Sequence, residues 1–276
     1  MGGVSAGSMT AMLSSLTAPL AAMGAVCLKT LREFGRIGIF LGRAVLGIFF
    51  MPLQVAKFVA QVYFIGAKSV LVICLTGAFT GMVLGLQGYY TLVKFGAQGM
   101  LGAAVALSLI REMGPVLTAI MITARAGSAM SAEIGIMRNS EEIDALKTMD
   151  INPIRFLVSP RIVAALISFP LLTAIFDVIG ILGGYLSSSV LLGLSSGTFF
   201  SRVESSVDMQ DVSGGFVKTF VFGLVVATIC CYQGYYTHTR PEGFGAKGVS
   251  SSTTSAVVIC CVLILITDYI MTSFLL

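Results

Sequence analysis

The feature that most constrains this fold is the run from Ser69 to Val93, which contains no charged side chain and lies between Lys68 and Lys94. A helix needs roughly 20 apolar residues to cross about 30 Å of hydrocarbon, and this run is long enough. Over 276 residues the chain is 56% hydrophobic and 11% charged. Soluble domains carry roughly 25% charged residues, so the sequence predicts an integral membrane protein.

Further apolar segments follow at 97–124, 162–190, 217–237 and 250–274. Together with 69–93 they predict an all-α membrane protein with five transmembrane helices. We assign residues 67–276 to this five-span domain, which also contains a short polar helix near 140–149.

Residues 1–66 are predicted to form a separate N-terminal region. The first 27 residues lack charge, and therefore lack the basic segment of a signal peptide, so we interpret them as a weakly ordered or surface-lying lead-in. Residues 29–68 mix six basic side chains with apolar ones, and their longest uncharged piece, 44–56, is too short to span a bilayer. This pattern favours an interfacial or re-entrant helix with its basic residues towards anionic headgroups.

The charge distribution also predicts the topology. The section before the first span carries six Lys or Arg and one acid, so the N-terminus is expected in the cytoplasm and the C-terminus outside. The hairpin at 125–161 and the loop at 238–248 then face the cytoplasm, whereas 195–215 lies outside. Lys94 is a minor exception to this assignment.

Several classes of chemistry lack support in the sequence. It contains no GxxxxGK[ST] loop for nucleotide phosphates and no GxSxG nucleophile motif. The basic residues are scattered, which argues against nucleic-acid binding. Six cysteines without CxxC spacing and a single His238 favour small buried thiols over a metal site. We therefore predict no catalytic residues, no metal and no cofactor bound by this chain.

Small residues predict close helix packing at two places. Gly77, Gly81 and Gly85 form a GxxxGxxxG ridge in the first span, which lets helices approach within a subunit or between subunits. From Arg125 to Met137, Ala, Gly and Ser alternate with apolar residues, which predicts a tightly packed helix inside a dimer. Arg125 and Glu133 lie two turns apart there and could pair indirectly.

Ionisable residues interrupt the spans. Arg111 and Glu112 precede Gly114-Pro115, where a helix is expected to bend. A charge within a bilayer is costly unless it is paired or hydrated, so this pair either positions the kinked helix or lines a cavity. The remaining members of this set are Asp177, Lys218 and Asp268. The set could act as a proton relay, although Lys218 and Asp268 could instead reach the interfaces.

A short amphipathic helix is predicted after the second span, with Asn139 as its N-cap and Glu142 at its third position. Its apolar residues recur every three positions, and acids occupy the other faces. Membrane-surface helices favour basic polar faces, so this acidic start favours a protein partner. The residues expected to dock are Glu141, Glu142, Ile143, Asp144, Leu146 and Met149.

Five segments resemble the MlaE (YrbE) family, the permease subunits of ABC transporters that work with MCE-domain proteins to move phospholipids between bacterial membranes. They are KTLREFGRIG (29–38), TGMVLGLQGYY (80–90), ALSLIREMGPVLTA (106–119), RAGSAMSAEIGIMRNSEEIDALKTMDINPIRFLVSPR (125–161) and GAKGVSSSTTSAVV (245–258). The resemblance covers nearly the whole chain, and the long central motif is the most specific part of it.

The resemblance implies a homodimer of five-span subunits between two ABC ATPase subunits, which use ATP and Mg²⁺, and a hexameric MCE-domain protein. A small STAS-type accessory subunit is a further candidate partner. The helix at 140–149 would couple to the ATPase. A phospholipid would occupy a cavity between the protomers, lined by the first two spans. The cavity residues carried over by motif are Leu84, Gln87, Leu92, Phe95, Arg111, Glu112 and Lys218.

The expected location is a bacterial inner membrane, with a plastid envelope as the alternative. Two other functions stay open on the sequence. One is a proton-coupled secondary transporter that uses Glu112, Asp177 and Asp268. The other is a scaffold that anchors an MCE ring without moving lipid.

Overall fold

The computed structural model describes residues 24, 28, 31–48, 55–239 and 244–275, and within them the chain is helical with no strand. Nearly all of the lead-in predicted at 1–27 therefore lies outside the described residues. The helices are α1 (31–48), α2 (Val55–Ile65), α3 (Val70–Val93), α4 (Gln98–Asn139), α5 (Glu142–Thr148), α6 (Ile154–Leu191), α7 (Ser196–Ser206), α8 (Met209–Tyr235) and α9 (Gly245–Leu275).

Five helical stretches of the described chain are long and apolar enough to cross a membrane, which confirms the predicted fold class. Their bounds differ from the sequence estimate in one informative way. The first stretch is Ala56–Val93, because α2 continues into α3 through a short turn at Ala67–Ser69. The sequence assigned α2 to the interfacial region, since Lys57 and Lys68 interrupt its apolar pattern.

The glycine ridge of α3 packs against α6 of the same subunit. A Cβ on Gly81 would come within 1.8 Å of the Gly180 carbonyl oxygen, and one on Gly85 would come within 2.9 Å of the Gly184 oxygen. Such contacts need glycine because no side chain fits between the two backbones. The ridge thus joins two spans within one chain, which decides between the alternatives that the sequence left open.

Helix α8 lies in the middle of the bundle, where it packs on α4, α6 and α9. Its side chains Phe222, Val226 and Cys230 are fully buried. The small residues of α4 face this helix: a Cβ on Gly127 would meet the Cys230 sulfur at 3.0 Å. At Gly127, the small-residue part of α4 therefore packs on a helix of the same subunit.

Helix α1 lies across the ends of α6 and α8. The Ser159 hydroxyl donates to the Ala44 carbonyl at 2.8 Å, and the buried ring of Phe40 packs edge-on against Tyr232 at 5.6 Å between centroids. Helix α5 lies at this same end, between the end of α4 and the start of α6, and we call it the α5 end. An amphipathic helix across the ends of spans agrees with the predicted interfacial element.

The opposite end of the bundle carries α7, and we call it the α7 end. Phe199 of α7 is buried, and its backbone oxygen would contact a Cβ on Gly102 at 2.3 Å. The sequence predicts no separate helix in 195–215, because Ser, Gly and charged residues interrupt its apolar pattern.

Candidate functional site: a charged cluster and a terminal rod

The second span is distorted where the sequence predicts a bend. Residues Leu109–Met113 form a π-helical turn directly before Gly114 and Pro115. Pro115 has no N–H to donate to the carbonyl of Arg111, four residues earlier. The Lys218 ammonium of α8 donates to that oxygen at 2.9 Å. A carbonyl that lacks its usual donor four residues on thus accepts from another span.

Lys218 has a dense set of acceptors for one ammonium group. It donates to Glu112 Oε2 at 2.9 Å and to the Thr272 hydroxyl at 2.7 Å, and it lies 3.1 Å from Asp268 Oδ1. Its side chain is only 3% exposed. An unpaired charge at such a site would cost several kcal/mol, so the two carboxylates keep the ammonium stable inside the bundle. We call Lys218, Glu112, Asp268 and Thr272 the Lys218 cluster.

Arg111 and Glu112 point to different partners although they are adjacent in sequence. Arg111 Nε donates to Asp211 Oδ1 at 2.7 Å, at the start of α8. Asp211 also accepts a bond from the Asp208 backbone N–H at 3.2 Å as part of a capping box. The predicted local Arg111–Glu112 arrangement is therefore replaced by two separate contacts with α8.

These contacts line a cavity of about 320 Å³ at the α7 end. Its walls include Arg111, Glu112 and Lys218, together with the first turns of α8 and the last turn of α9. The cavity is polar on one side, where the carboxylates and the guanidinium lie. Such a site could hold a polar or charged head of an amphiphile beside the apolar spans.

The other predicted cavity residues do not line this space. Leu84 and Leu92 are partly buried against the core, whereas Gln87 is exposed and Phe95 is 79% exposed. They lie on α3 and the turn that follows it. Within one chain the structure brings together only the three charged members of the predicted set.

Asp177 is separate from the Lys218 cluster. Its Oδ1 atom has no hydrogen-bond partner and lies where a Cβ on Gly114 would be, 1.9 Å away. It borders a different, mostly apolar cavity of about 210 Å³. Glu112 and Asp268 thus meet at Lys218, whereas Asp177 makes no hydrogen bond to either of them.

Arg125 and Glu133 have different partners from those expected. The Arg125 guanidinium donates to the Phe64 carbonyl oxygen and lies over the Phe64 ring, 5.1 Å from its centroid. Glu133 pairs with the buried Arg161 at 2.9 Å. Their predicted indirect pairing is therefore wrong. Each side chain instead fastens α4 to another helix, α2 or α6.

Helix α5 is shorter than predicted and begins differently. It spans Glu142–Thr148, and Glu141 precedes it with a left-handed φ of 59°. Asn139 is the last residue of α4, and its side-chain amide donates to the Gly245 carbonyl at 3.1 Å. The predicted Asn139 cap is wrong because the preceding helix continues through that residue.

The predicted docking residues of α5 are not equally accessible. Ile143 is fully buried beneath α5, Leu146 is partly buried, and Met149 is 68% exposed. Glu141 and Glu142 are exposed. The surface available to a partner is therefore the acidic start of α5 and the Met149 side chain.

Asp144 belongs to an ionic junction that holds α5 to the bundle. Arg138 donates to Asp144 Oδ1 at 2.8 Å, Lys147 donates to the same atom at 2.8 Å, and Arg138 Nε donates to His238 Nδ1 at 3.0 Å. We call these four residues the Arg138 junction. Hydrogen bonds from Lys147 and Arg138 lower the pKa of Asp144, whereas burial and the Arg138 charge lower the pKa of His238.

One continuous helix connects the two sites. Helix α4 runs from Gln98 to Asn139 and carries Glu112 in the Lys218 cluster and Arg138 in the junction. The distance from Glu112 to the end of α4 is ~40 Å at 1.5 Å per residue. A second π-helical turn, at Thr123–Gly127, lies in α4 between the two sites. The Lys218 cluster and the Arg138 junction therefore share one helix.

The sequence did not identify four residues that complete these sites: Asp211, Thr272, Arg138 and His238. They lie 100 or more residues from a partner, as with Arg111 and Asp211 or Arg138 and His238. The DxxD spacing of Asp208 and Asp211 was a usable signal for a helix start. Within the described residues no group of His, Cys, Asp or Glu is arranged to hold a metal.

This architecture defines a polytopic helical membrane protein. The Lys218 cluster lies inside its bundle, and the short polar helix α5 is exposed at one end. Comparison with known proteins gives the family. Residues 58–274 match the model of the family described as Permease MlaE, and the chain belongs to this family.

Individual relatives agree with that assignment. The chain is 39% identical over 255 residues to the intermembrane phospholipid transport system permease protein MlaE of Haemophilus influenzae, covering 92% of this chain and 96% of the relative. It is 40% identical over 251 residues to a probable ABC transporter permease protein of Rickettsia bellii, covering 91% and 95%. It is 33% identical over 174 residues to the chloroplastic protein trigalactosyldiacylglycerol 1 of Arabidopsis thaliana, covering 63% and 48%.

Proposed function

We propose that this chain is the membrane subunit of an ATP-driven transporter that moves phospholipid between an inner and an outer membrane. The observation that carries the proposal is the match of 58–274 to the MlaE permease family, together with the similarity to a permease of an intermembrane phospholipid transport system. ATP hydrolysis would reside in a partner, since the sequence has no phosphate-binding loop.

The lipid path is proposed at a homodimer interface. The exposed face of α3 includes Gln87, Phe79 and Val83, opposite the glycine ridge that packs on α6. A second copy placed against this face would add Leu84, Leu92 and Phe95 to a shared cavity. The Lys218 cluster and Arg111 would then supply its polar part, beside the headgroup of the lipid.

The coupling partner is proposed to bind α5. The exposed Glu141, Glu142 and Met149 combine charge with one protruding apolar side chain, which suits a groove on a soluble partner. Two ABC ATPase subunits at the α5 end and a hexameric MCE-domain protein at the α7 end complete the proposed assembly, with a STAS-type subunit as a further candidate. The α5 end and the N-terminus would then be cytoplasmic, and the C-terminus periplasmic.

The docking proposal is tested with Glu141→Lys/Met149→Asp in the reconstituted complex. Both side chains are exposed, so we expect the variant to assemble in the membrane but to lose permease-stimulated ATPase activity and lipid transfer. The matched control is Glu204→Lys/Met209→Asp, which makes the same changes at exposed positions of the α7 end. Asp144 is unsuitable, because its reversal would also break its contacts with Arg138 and Lys147.

The result is decided by the difference between the two variants. Normal ATPase stimulation in the α5 variant would show that the partner docks elsewhere. Loss of ATPase stimulation in both variants, with the MCE-domain protein still bound to each, would also count against specific docking at α5.

The lipid path is tested by placing a photoactivatable residue at Leu84. We expect its phospholipid adduct to change between ATP-trapped and ADP-bound complexes, because the cavity opens and closes with the ATPase. Leu265, which is exposed on α9, is the control for lipid that merely surrounds the protein. Adducts at Leu84 that are insensitive to nucleotide, as at Leu265, would favour a scaffold without lipid transport.

Proton-coupled transport is the second candidate, because the Oδ1 atom of Asp177 is buried within a membrane span and has no hydrogen-bond partner. It predicts that the chain alone moves lipid under a pH gradient and that Asp177→Asn stops this movement. Under the ATP-driven proposal, Asp177→Asn retains ATP-dependent transfer and the chain alone transports nothing.

A further inference from the structure

A second apolar cavity lies at the α5 end, away from the Lys218 cluster. Its volume is about 540 Å³, within the usual size range of small-molecule pockets. One wall is the inner face of α1, and the other walls are α8 and α9. We call this space the α1 groove. It is lined by Glu33, Phe34, Ile37, Leu41, Leu224, Val225, Thr228, Ile229, Tyr232, Gln233, Ile259 and Leu263.

The polar groups of the α1 groove are concentrated at one end. Tyr232 donates its phenol proton to Glu33 Oε2 at 2.8 Å, and Glu33 also pairs with Arg36 at 3.2 Å. Deeper in the groove, the Thr228 hydroxyl donates to the Leu224 carbonyl at 2.6 Å, so its hydrogen is already used. The groove is therefore amphipathic, with a polar mouth beside α1 and an apolar interior between the spans.

The surroundings restrict what can fill this space. The groove opens between α1 and two helices that are apolar enough to cross the membrane, so its interior faces hydrocarbon and not water. Water has too few polar partners there to be stable. An empty groove would forfeit the dispersion contacts of its lining. The occupant must therefore be apolar along most of its length.

The charge of α1 specifies the other end of the occupant. Arg32, Arg36 and Arg43 are exposed on α1, and the Arg36 guanidinium lies beside the mouth, 5.8 Å from the centroid of the Tyr236 ring. Arginines at the edge of a bilayer attract anionic lipid headgroups. Exposed apolar side chains of the same helix, Leu31 and Ile39, keep it at the depth where headgroups and acyl chains meet.

We propose that the α1 groove binds one acyl chain of an anionic phospholipid from the leaflet at the α5 end, with the headgroup beside Arg32 and Arg36. The bound lipid fills the space between α1 and the α8–α9 pair, and so fixes α1 on the bundle. This site is distinct from the proposed transport path and does not depend on it, because the lipid would be retained whether or not the chain transports lipid.

The absence of tryptophan from the sequence allows a direct test. Phe34→Trp places a single tryptophan at the groove, and Val258→Trp places one at an exposed position of α9 as the control. The full-length chain is reconstituted, in its native oligomeric state, in nanodiscs that contain phosphatidylglycerol and phosphatidylcholine, one of them brominated on its acyl chains. Bromine quenches tryptophan only at short range, so the quenching reports which lipid lies beside each position.

At Phe34→Trp we expect brominated phosphatidylglycerol to quench more than brominated phosphatidylcholine at equal mole fraction. The expected preference is about fivefold, the ratio that corresponds to the attraction of one arginine for an anionic surface. At Val258→Trp the two lipids should quench equally. Adding Arg36→Gln should reduce the preference at the groove without removing quenching.

A filled groove supplies the second test. Val225→Phe puts a larger side chain into the groove, whereas Val258→Phe makes the same change on the exposed face of α9. We expect native mass spectrometry to find one fewer retained phospholipid per chain in Val225→Phe only. Two outcomes would overturn the proposal: equal quenching by both lipids at Phe34→Trp, which indicates ordinary surrounding lipid, or no quenching there, which indicates that protein covers the groove.

Discussion

The Lys218 cluster and the Arg138 junction are both built around one basic side chain, yet their surroundings differ. Lys218 is 3% exposed and lies among helices that are apolar enough to cross the membrane. The Arg138 side chain is 13% exposed, and its partner Asp144 is 49% exposed at the end of the bundle. Removing one partner of a buried pair leaves an uncompensated charge, whereas water compensates an exposed one. The same type of contact should therefore contribute differently at the two ends of α4.

The difference also suggests different roles. The Lys218 cluster joins α4, α8 and α9 through one ammonium group beside the π-helical turn of α4. The Arg138 junction holds a short helix to the end of a long one and can rearrange at lower cost. A rigid interior with an adjustable end is what the proposed coupling role of α5 would require.

The largest expected effect is that of Lys218→Met. It leaves Glu112 and Asp268 without their cation and the Arg111 carbonyl without a donor, so we expect a loss of about 3–5 kcal/mol in stability. Thermal unfolding in detergent measures the loss. Lys94→Met, at an exposed position, is the control and should unfold like the wild type. Equal stability of the two variants would mean that the cluster is not a buried ion network.

A smaller effect is expected for Asp211→Asn. The change removes the ion pair with Arg111 and weakens the capping box of α8, and we expect a loss of about 1–2 kcal/mol. The loss should be below that of Lys218→Met because the Arg111 side chain is 42% exposed. Glu204→Gln, at the same end of the bundle, should have little effect on the melting temperature. A loss as large as that of Lys218→Met would contradict the ranking by burial.

Arg138→Gln tests the junction. We expect it to cost at most about 1 kcal/mol, because Asp144 is 49% exposed and keeps its ion pair with Lys147. The cost should fall further at about 1 M salt, where the screening length is about 3 Å, whereas the cost of Lys218→Met should not. Melting temperatures of both variants at low and high salt check this contrast. The same salt dependence for the two variants would remove the distinction between the sites.

The smallest effect is a pH dependence from His238. Its folded pKa lies below the ordinary value of 6.5, so the unfolded chain binds more protons as the pH falls. The stability from neutral His238 is therefore present above pH 6.5 and is lost as the pH falls through the folded pKa. We expect a small drop in melting temperature between pH 7.5 and 5.5 that His238→Gln reduces. An unchanged drop in that variant would assign the pH dependence to other groups.

Much of the fold followed from the sequence because membrane helices depend on local properties. Uncharged runs such as 69–93 predict spans, since every backbone group must be paired within its own helix in hydrocarbon. Arg111, Glu112 and Lys218 were identified as candidate site residues because charged side chains are rare in apolar runs. Helix α2 was assigned to the interfacial region because Lys57 and Lys68 interrupt its apolar pattern, and the structure shows it continuing into α3. Helix α7 was not predicted because its apolar face is short.

The contacts that a charged side chain makes were harder to predict from the sequence than its position in a helix. Arg125 was expected near Glu133, but it binds the Phe64 carbonyl, and Glu133 binds Arg161. A backbone carbonyl leaves no signal in the identity of a residue, and long side chains reach helices that spacing along the chain does not bring together. The same applies to Asp211 and His238, whose partners lie about a hundred positions away.

The sequence by itself determined that the chain spans a membrane, that its second span is irregular near Gly114-Pro115, and that an acidic helix follows this span. Each of these depends on local composition, on a missing N–H or on periodicity. Only the tertiary structure decided that Lys218 occupies the site left by Pro115, that the glycine ridge joins α3 to α6, and that Asp144 is held by Arg138. Those contacts depend on which helices become neighbours, and that choice is made by the packing of the whole bundle.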